Sequence, residues 1–216
     1  MKKSLLLLGG ALVLFSNSAF GWGKMGHDAI AYIAECNLTP KAKKTIEKIL
    51  GHSIVYYATW MDEWRAEPGY EHTSAWHTAS VDKNLVYAPR PKGDVIFALE
   101  DAIAKLQDYK QQDDSTVVMS LRCIIHFVGD MHCPVHVKYA DQKSYNVYLN
   151  GDKCSYHNVW DDQIISRSHR WGYLEYGHQL DRCTKQQIKT ITAGTLRDWF
   201  HENARDSRHI YELVGP

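Results

Sequence analysis

The chain has 216 residues, enough for one domain with a sizeable core. Its 25 Lys and Arg balance 25 Asp and Glu, which excludes a protein that grips nucleic acid through a broadly basic surface. Positive charge for such a partner would have to be local, as a bound metal ion supplies it.

Residues 1–21 read as a signal peptide. Lys2 and Lys3 give a basic start, Leu5 to Phe15 an apolar run, and Ala19 and Gly21 a small-residue cleavage site before Trp22. The run is shorter than the roughly 20 residues that a membrane helix needs. The expectation is export, to the periplasm or the medium, with no stable membrane anchor. Cleavage removes two lysines and no acid, so the remainder is slightly acidic. The cysteines are Cys36, Cys123, Cys133, Cys154 and Cys183. Export permits disulfide bonds, but an odd count leaves at least one thiol unpaired. No CxxC spacing supports a cysteine-rich zinc site.

Helical periodicity dominates the remainder. Ile30, Ala31, Ile33 and Ala34 share one face of a helix predicted over 28–36. Thr39-Pro40 is an N-cap followed by proline at the first helical position, and it opens a helix that runs to Leu50 and stops at Gly51. A short helix is predicted over 56–65, then a long connection over 68–91. Helices follow over 94–109 and 115–131. Tyr145 to Leu149 alternates as a strand of a small hairpin. Further helices are predicted over 160–166, 185–193 and 196–213. The reading is one all-α, mostly helical domain over 22–216, with at most a small β-hairpin.

Twelve histidines are an unusual number, and their placement is informative. His126 and Asp130 are four residues apart, so they share one helix face. His157 and Asp161 repeat that spacing. Imidazole with carboxylate is a ligand set that suits zinc. Either pair alone also reads as a surface hydrogen bond. His126, however, sits in the apolar run Leu121 to Val128, where a polar group must be satisfied. His136 follows just beyond Pro134. His132 falls on another helix face and reads as a supporting residue. Asp62 and His77 fit either a ligand role or an ordinary surface role. A free α-amine at Trp22 would have a pKa near 8, so a metal can displace its proton at neutral pH. His27 lies close behind it. The plainer reading is that both residues only pack an N-terminal arm.

Taken together, these residues resemble the zinc-dependent single-strand nucleases of fungi, plants and bacteria. The family pattern is W-G-x3-G-H, W-A-D-x2-[KR], a lone His, H-x3-D-x-H-x-P-x-H, and H-x2-W-D. Here it appears in order as Trp22/His27, Trp60/Asp62/Arg65, His77, His126/Asp130/His132/Pro134/His136, and His157/Trp160/Asp161. The resemblance runs from Trp22 to about Ala204. It implies a mostly helical fold and three zinc ions. Asp62, His77, His126 and Asp130 would hold one ion. The amine and carbonyl of Trp22, with His27 and Asp130, would hold a second. His136, His157 and Asp161 would hold the third. Catalysis would rest on Asp62, Asp130 and Arg65, the last stabilising charge on the phosphate. The implied substrates are single-stranded DNA and RNA, cut to 5′-phosphate products by a monomer, with 3′-nucleotides as further substrates.

The chain departs from the family in three places. Asp141 is followed by Gln142, Lys143 and Ser144 where the family has D-x-G-G-N. Thr78 follows His77 where many fungal members carry an aromatic residue. Cys133 replaces the Gln of an H-Q-P motif. Base recognition is the function these changes affect. Two alternatives are a zinc phospholipase C, with the same N-terminal Trp, and a non-catalytic, zinc-stabilised binding protein. The short gap from Trp22 to His27 and the Asp at 161 favour the nuclease over the first. A site with only three protein ligands favours chemistry over the second.

Overall fold

Capping chemistry legible in the sequence sets most helix boundaries in the computed structural model, which describes residues 22–214. The signal-peptide reading falls outside those residues. After α1 (Gly23–Asn37), Thr39 accepts a hydrogen bond from the Ala42 N–H at 3.2 Å and opens α2 (Pro40–Leu50). Gly51, at φ +78°, closes it in the left-handed conformation that glycine adopts freely. Asp94 caps α4 (Val95–Gln107) through the Ile96 and Phe97 N–H groups, and Asp113 caps α5 (Asp114–His132) through Thr116. α4 packs against α5, and the core around them buries Ile96, Leu99, Phe127, Met61 and Phe200. Each such side chain contributes about 1.5–3 kcal/mol of burial.

The single helix predicted over 56–65 is broken. A 3-10 turn, Ile54–Tyr57, precedes α3 (Trp60–Trp64). The break releases the Ala58 carbonyl from helical bonding and gives it to Nδ1 of His126 at 2.7 Å. The stretch 68–91, expected as an open connection, instead holds a 3-10 segment Glu71–His77 and two strands, β1 (Ala79–Val81) and β2 (Tyr87–Ala88). β1 pairs antiparallel with β2 and parallel with β3 (Val137–Lys138), with Ala79 opposite Val137. That register brings the chain just after His77 beside the chain just after His136.

The expected hairpin is present as β4 (Asn146–Leu149) and β5 (Asp152–Ser155). Its turn is Asn150-Gly151, both at positive φ, as a type I′ turn requires. The chain then runs helically through α6 (Tyr156–Asn158), a π-helical segment Val159–Gln163, and α7 (Ile164–Ser168). α8 (Tyr173–Leu180), which the periodicity did not reveal, packs on α1. The contact depends on Gly177, where a Cβ would fall 2.4 Å from the Tyr32 ring. α9 (Lys185–Ile191) and α10 (Leu196–Val214) complete the fold. The mostly helical class is as expected, with a small three-stranded sheet beside the hairpin.

The disulfides that export would allow are not formed, and all five cysteines are free. Cys123 lies in the main core, Cys133 in a smaller cluster with Val135, Tyr156 and Ile210, and Cys154 on the hairpin. Among the described residues no helix is long and apolar enough to cross a membrane.

Candidate metal centre

Six segments deliver polar side chains to one buried place. α1 brings His27, α3 Asp62, the 3-10 segment before β1 His77, and α5 His126 and Asp130. The turn after α5 brings His136, and the π-helical run brings Asp161. All seven are buried, in surroundings where unpaired polar groups are costly. His157, one turn before Asp161, is partly exposed at 23%. A π-helical segment at this point fits the frequent use of such bulges at functional sites.

Asp130 lies at the centre. Its Oδ2 is 2.8 Å from His77 Nδ1 and 3.2 Å from His126 Nε2. Its Oδ1 is 3.4 Å from His27 Nε2 and 3.3 Å from His136 Nδ1. The two oxygens therefore face different sets of histidines. Asp62 Oδ1 is 3.4 Å from His77 Nδ1, and Oδ2 is 3.7 Å from His126 Nε2. Asp161 places Oδ1 3.3 Å from His136 Nε2 and Oδ2 3.2 Å from His157 Nε2. The His126 ring stacks on His27 at 4.0 Å. Gly129, one turn away on α5, permits that approach, since a Cβ there would meet His27 Nδ1 at 3.0 Å.

Three sets of ligand atoms lie within 4.8 Å of one another and can hold a metal ion: His27, His126 and Asp130; Asp62, His77 and His126; and Cys133, His136 and Asp161. Many of these atoms have no hydrogen-bond partner although buried: both nitrogens of His27, both oxygens of Asp62, Nε2 of His77 and His157, Oδ1 of Asp130 and Nδ1 of His136. Buried polar atoms are ordinarily bonded. Among them, His27 Nε2 and His136 Nδ1 lie 3.4 and 3.3 Å from Asp130 Oδ1 without hydrogen-bond geometry, the arrangement expected of donors around a shared cation.

Electrostatics agree. Burial holds His27 and His77 down to about 4 and pushes Asp62 up to about 7. Burial also opposes charge on His136, yet Asp130 and Asp161 lift it to about 10. Asp130, despite burial, is kept below the usual carboxylate range by His126 and His136. Asp161 is kept low against burial by His136 and His157. Without metal, imidazolium is the counter-charge for Asp130 and Asp161, and Asp62 also has the Arg65 guanidinium.

The structure places the remaining sequence candidates as follows. Arg65 Nη1 lies 3.4 Å from Asp62 Oδ1, so its guanidinium reaches the site. His132 is exposed, with Nδ1 2.8 Å from its own helix's Val128 carbonyl, and it takes no place in the cluster. Trp22 meets the cluster through its backbone. Its backbone nitrogen donates to Asp161 Oδ1 at 2.8 Å, rather than facing His27 and Asp130, and its carbonyl accepts from Gly26 N–H at 3.1 Å. In the unprocessed chain this nitrogen is an amide, which donates but does not ligate. Trp22 also adopts φ +37°, a conformation that bulky residues rarely take.

Two residues escaped the sequence reading. Cys133 is fully buried, with Sγ 3.3 Å from Asp161 Oδ1, and burial pushes its thiol well above the usual value. Its mismatch with the H-Q-P motif was the available signal. Arg90 donates through Nη2 to the carbonyls of Ala75 and Thr78, which bracket Trp76 and His77. No spacing in the sequence points to it.

A mostly helical domain that buries histidines and aspartates from distant segments around one centre defines the class, a scaffold built for bound cations. The S1/P1 Nuclease family model matches residues 22–213, and the chain belongs to that family. It is 23% identical over 210 residues to Nuclease S1 of Aspergillus oryzae, covering 90% of this chain and 72% of the relative. It is 28% identical over 193 residues to Nuclease P1 of Penicillium citrinum, covering 80% and 68%. Endonuclease 2 of Arabidopsis thaliana is 26% identical over 197 residues, covering 83% and 68%. The protein is thus a nuclease, a hydrolase of phosphodiester bonds.

Proposed function

We propose that the processed chain, beginning at Trp22, is an exported endonuclease that binds three zinc ions and cuts single-stranded DNA and RNA to 5′-phosphate products. It would also release phosphate from 3′-nucleotides. The observation that carries the zinc reading is the set of buried, unpartnered nitrogen and oxygen atoms on His27, Asp62, His77, Asp130, His136 and His157. Imidazole and carboxylate donors match zinc better than magnesium or calcium, which favour all-oxygen sites.

His126 donates Nδ1–H to the Ala58 carbonyl, which fixes its tautomer and turns Nε2 to the centre. Asp130, with one oxygen toward each histidine set, would be shared between two ions. Asp62, His77 and His126 would complete the first set, and His27 with the freed amine of Trp22 the second. His136, His157 and Asp161 would hold the third ion. Zinc on the Asp130 side would lower the pKa of a coordinated water toward 7, and the third ion would draw charge from the phosphate. Arg65, beside Asp62, is placed to stabilise charge developing on the phosphoryl oxygens. A recessed site favours single strands, whose backbone bends and whose bases stack on aromatic rings. Thr78, in place of an aromatic residue, favours weak base preference.

The test is direct. The processed protein is incubated with single-stranded DNA, RNA, a 3′-nucleotide and phosphatidylcholine, with and without chelator, and product ends are mapped. Chelator-sensitive cleavage of the nucleic acids to 5′-phosphates is expected. Turnover of the lipid alone, or cleavage that survives complete metal removal, would overturn the proposal.

A further inference from the structure

Cys133 is the one buried group at the centre to which the zinc reading above gives no task. It follows α5 directly, and its backbone is held on both sides. Its N–H donates to the Asp130 carbonyl at 3.0 Å, and its own carbonyl accepts from His136 N–H at 3.0 Å. The buried Asn203 side chain, from α10, donates to the carbonyls of Met131 at 2.7 Å and Cys133 at 3.1 Å. The thiol is thereby aimed at Asp161, and Sγ, a His136 nitrogen and an Asp161 oxygen all lie within 4.8 Å of one another.

The spacings match those of a zinc tetrahedron. Zinc bonds near 2.0 Å to nitrogen and oxygen and 2.3 Å to sulfur give ligand–ligand edges of about 3.3 Å for N···O and about 3.5 Å for S···O. His136 Nε2 and Cys133 Sγ each lie 3.3 Å from Asp161 Oδ1, and His157 Nε2 lies 3.2 Å from Asp161 Oδ2. Of the histidine nitrogens that face Asp161, His157 Nε2 is buried without a hydrogen-bond partner.

We propose that Cys133 supplies a thiolate ligand to the metal ion held by His136 and Asp161, with His157 on the solvent side. The inference rests on the metal-centre reading above. On binding, the S–H bond breaks, its proton leaves to solvent, and a sulfur–zinc bond forms, with no change of oxidation state. Four protein donors then fill the tetrahedron, so this ion would serve chiefly to fix charge and position, and activation of water would fall to the Asp130 side. The soft donor also biases this position toward zinc and against hard cations.

The experiment uses the processed protein loaded with zinc, or with cobalt(II), under reducing conditions, with total metal measured in the same samples. X-ray absorption at the zinc edge should show a sulfur shell near 2.3 Å. The cobalt form should show a thiolate-to-metal charge-transfer band. Both signals should vanish in C133S and persist in C123S, which removes the other buried thiol, in the main core. C133S should also release one ion about 10- to 100-fold more readily. Full metal loading without a sulfur shell in the wild type would overturn the Cys133 assignment alone. Failure to load metal at all would overturn the underlying centre as well.

Discussion

The backbone nitrogen of Trp22 lies 2.8 Å from Oδ1 of Asp161, 139 positions further along the chain. The start of α1 is therefore fastened to the π-helical segment, and His27 on the same helix reaches Asp130. Processing would turn this amide donor into an amine able to ligate. A protein carrying extra residues before Trp22 is expected to bind one zinc ion fewer and lose about 100-fold or more in activity. Intact mass, metal content and cleavage rate measured on both forms check this, and equal activity in the extended form contradicts it.

Removing metal leaves Asp62, Asp130 and Asp161 buried with imidazolium and, at Asp62, the Arg65 guanidinium for compensation. Saturating zinc, at about 1,000 times its Kd, stabilises by roughly 4 kcal/mol per site. For a domain of this size that corresponds to about 10 °C. Thermal unfolding with chelator should show at least that fall in Tm, reversed by zinc.

Zinc uptake should release protons at pH 7. His27 and His77, held near 4, are already neutral, whereas His136, raised to about 10, is protonated and must lose its proton to ligate. Asp62, at about 7, gives up a further fraction. Because the bound form carries fewer protons, affinity rises with pH from 7 toward 10 and weakens as pH falls below 7. Calorimetry in buffers of different ionisation enthalpy should find at least about one proton released per chain at pH 7.

Arg65→Ala should lower kcat about 100-fold, the scale of losing one donor to a developing oxyanion. KM for a short oligonucleotide and the metal content should change little. A large loss of zinc in this variant would instead make Arg65 a support for Asp62.

Arg90→Ala should loosen the backbone around His77, because the guanidinium joins the carbonyls of Ala75 and Thr78. Metal affinity is expected to fall about 10- to 100-fold, as when the group orienting a ligand is removed. A competitive chelator titration measures it.

Much of this was legible in the sequence for local reasons. Thr39, Pro40 and Gly51 punctuate α2 through capping, and Asn150-Gly151 sets the hairpin through its φ requirement. His126 with Asp130 and His157 with Asp161 are neighbours by helix geometry. What stayed hidden depends on contacts remote in sequence. The break at Ala58 answers to His126, and the short strands β1 and β3 exist only as each other's partners. α8 depends on Tyr32 packing over Gly177. Cys133 looked like a lost glutamine until the fold set it against Asp161.

Metal analysis of the processed protein, combined with anomalous scattering at the zinc edge, tests the central claim most directly. Three zinc ions per chain are expected, grouped around Asp130 and Asp161. Fewer than two ions, or ions bound away from those carboxylates, would contradict the account.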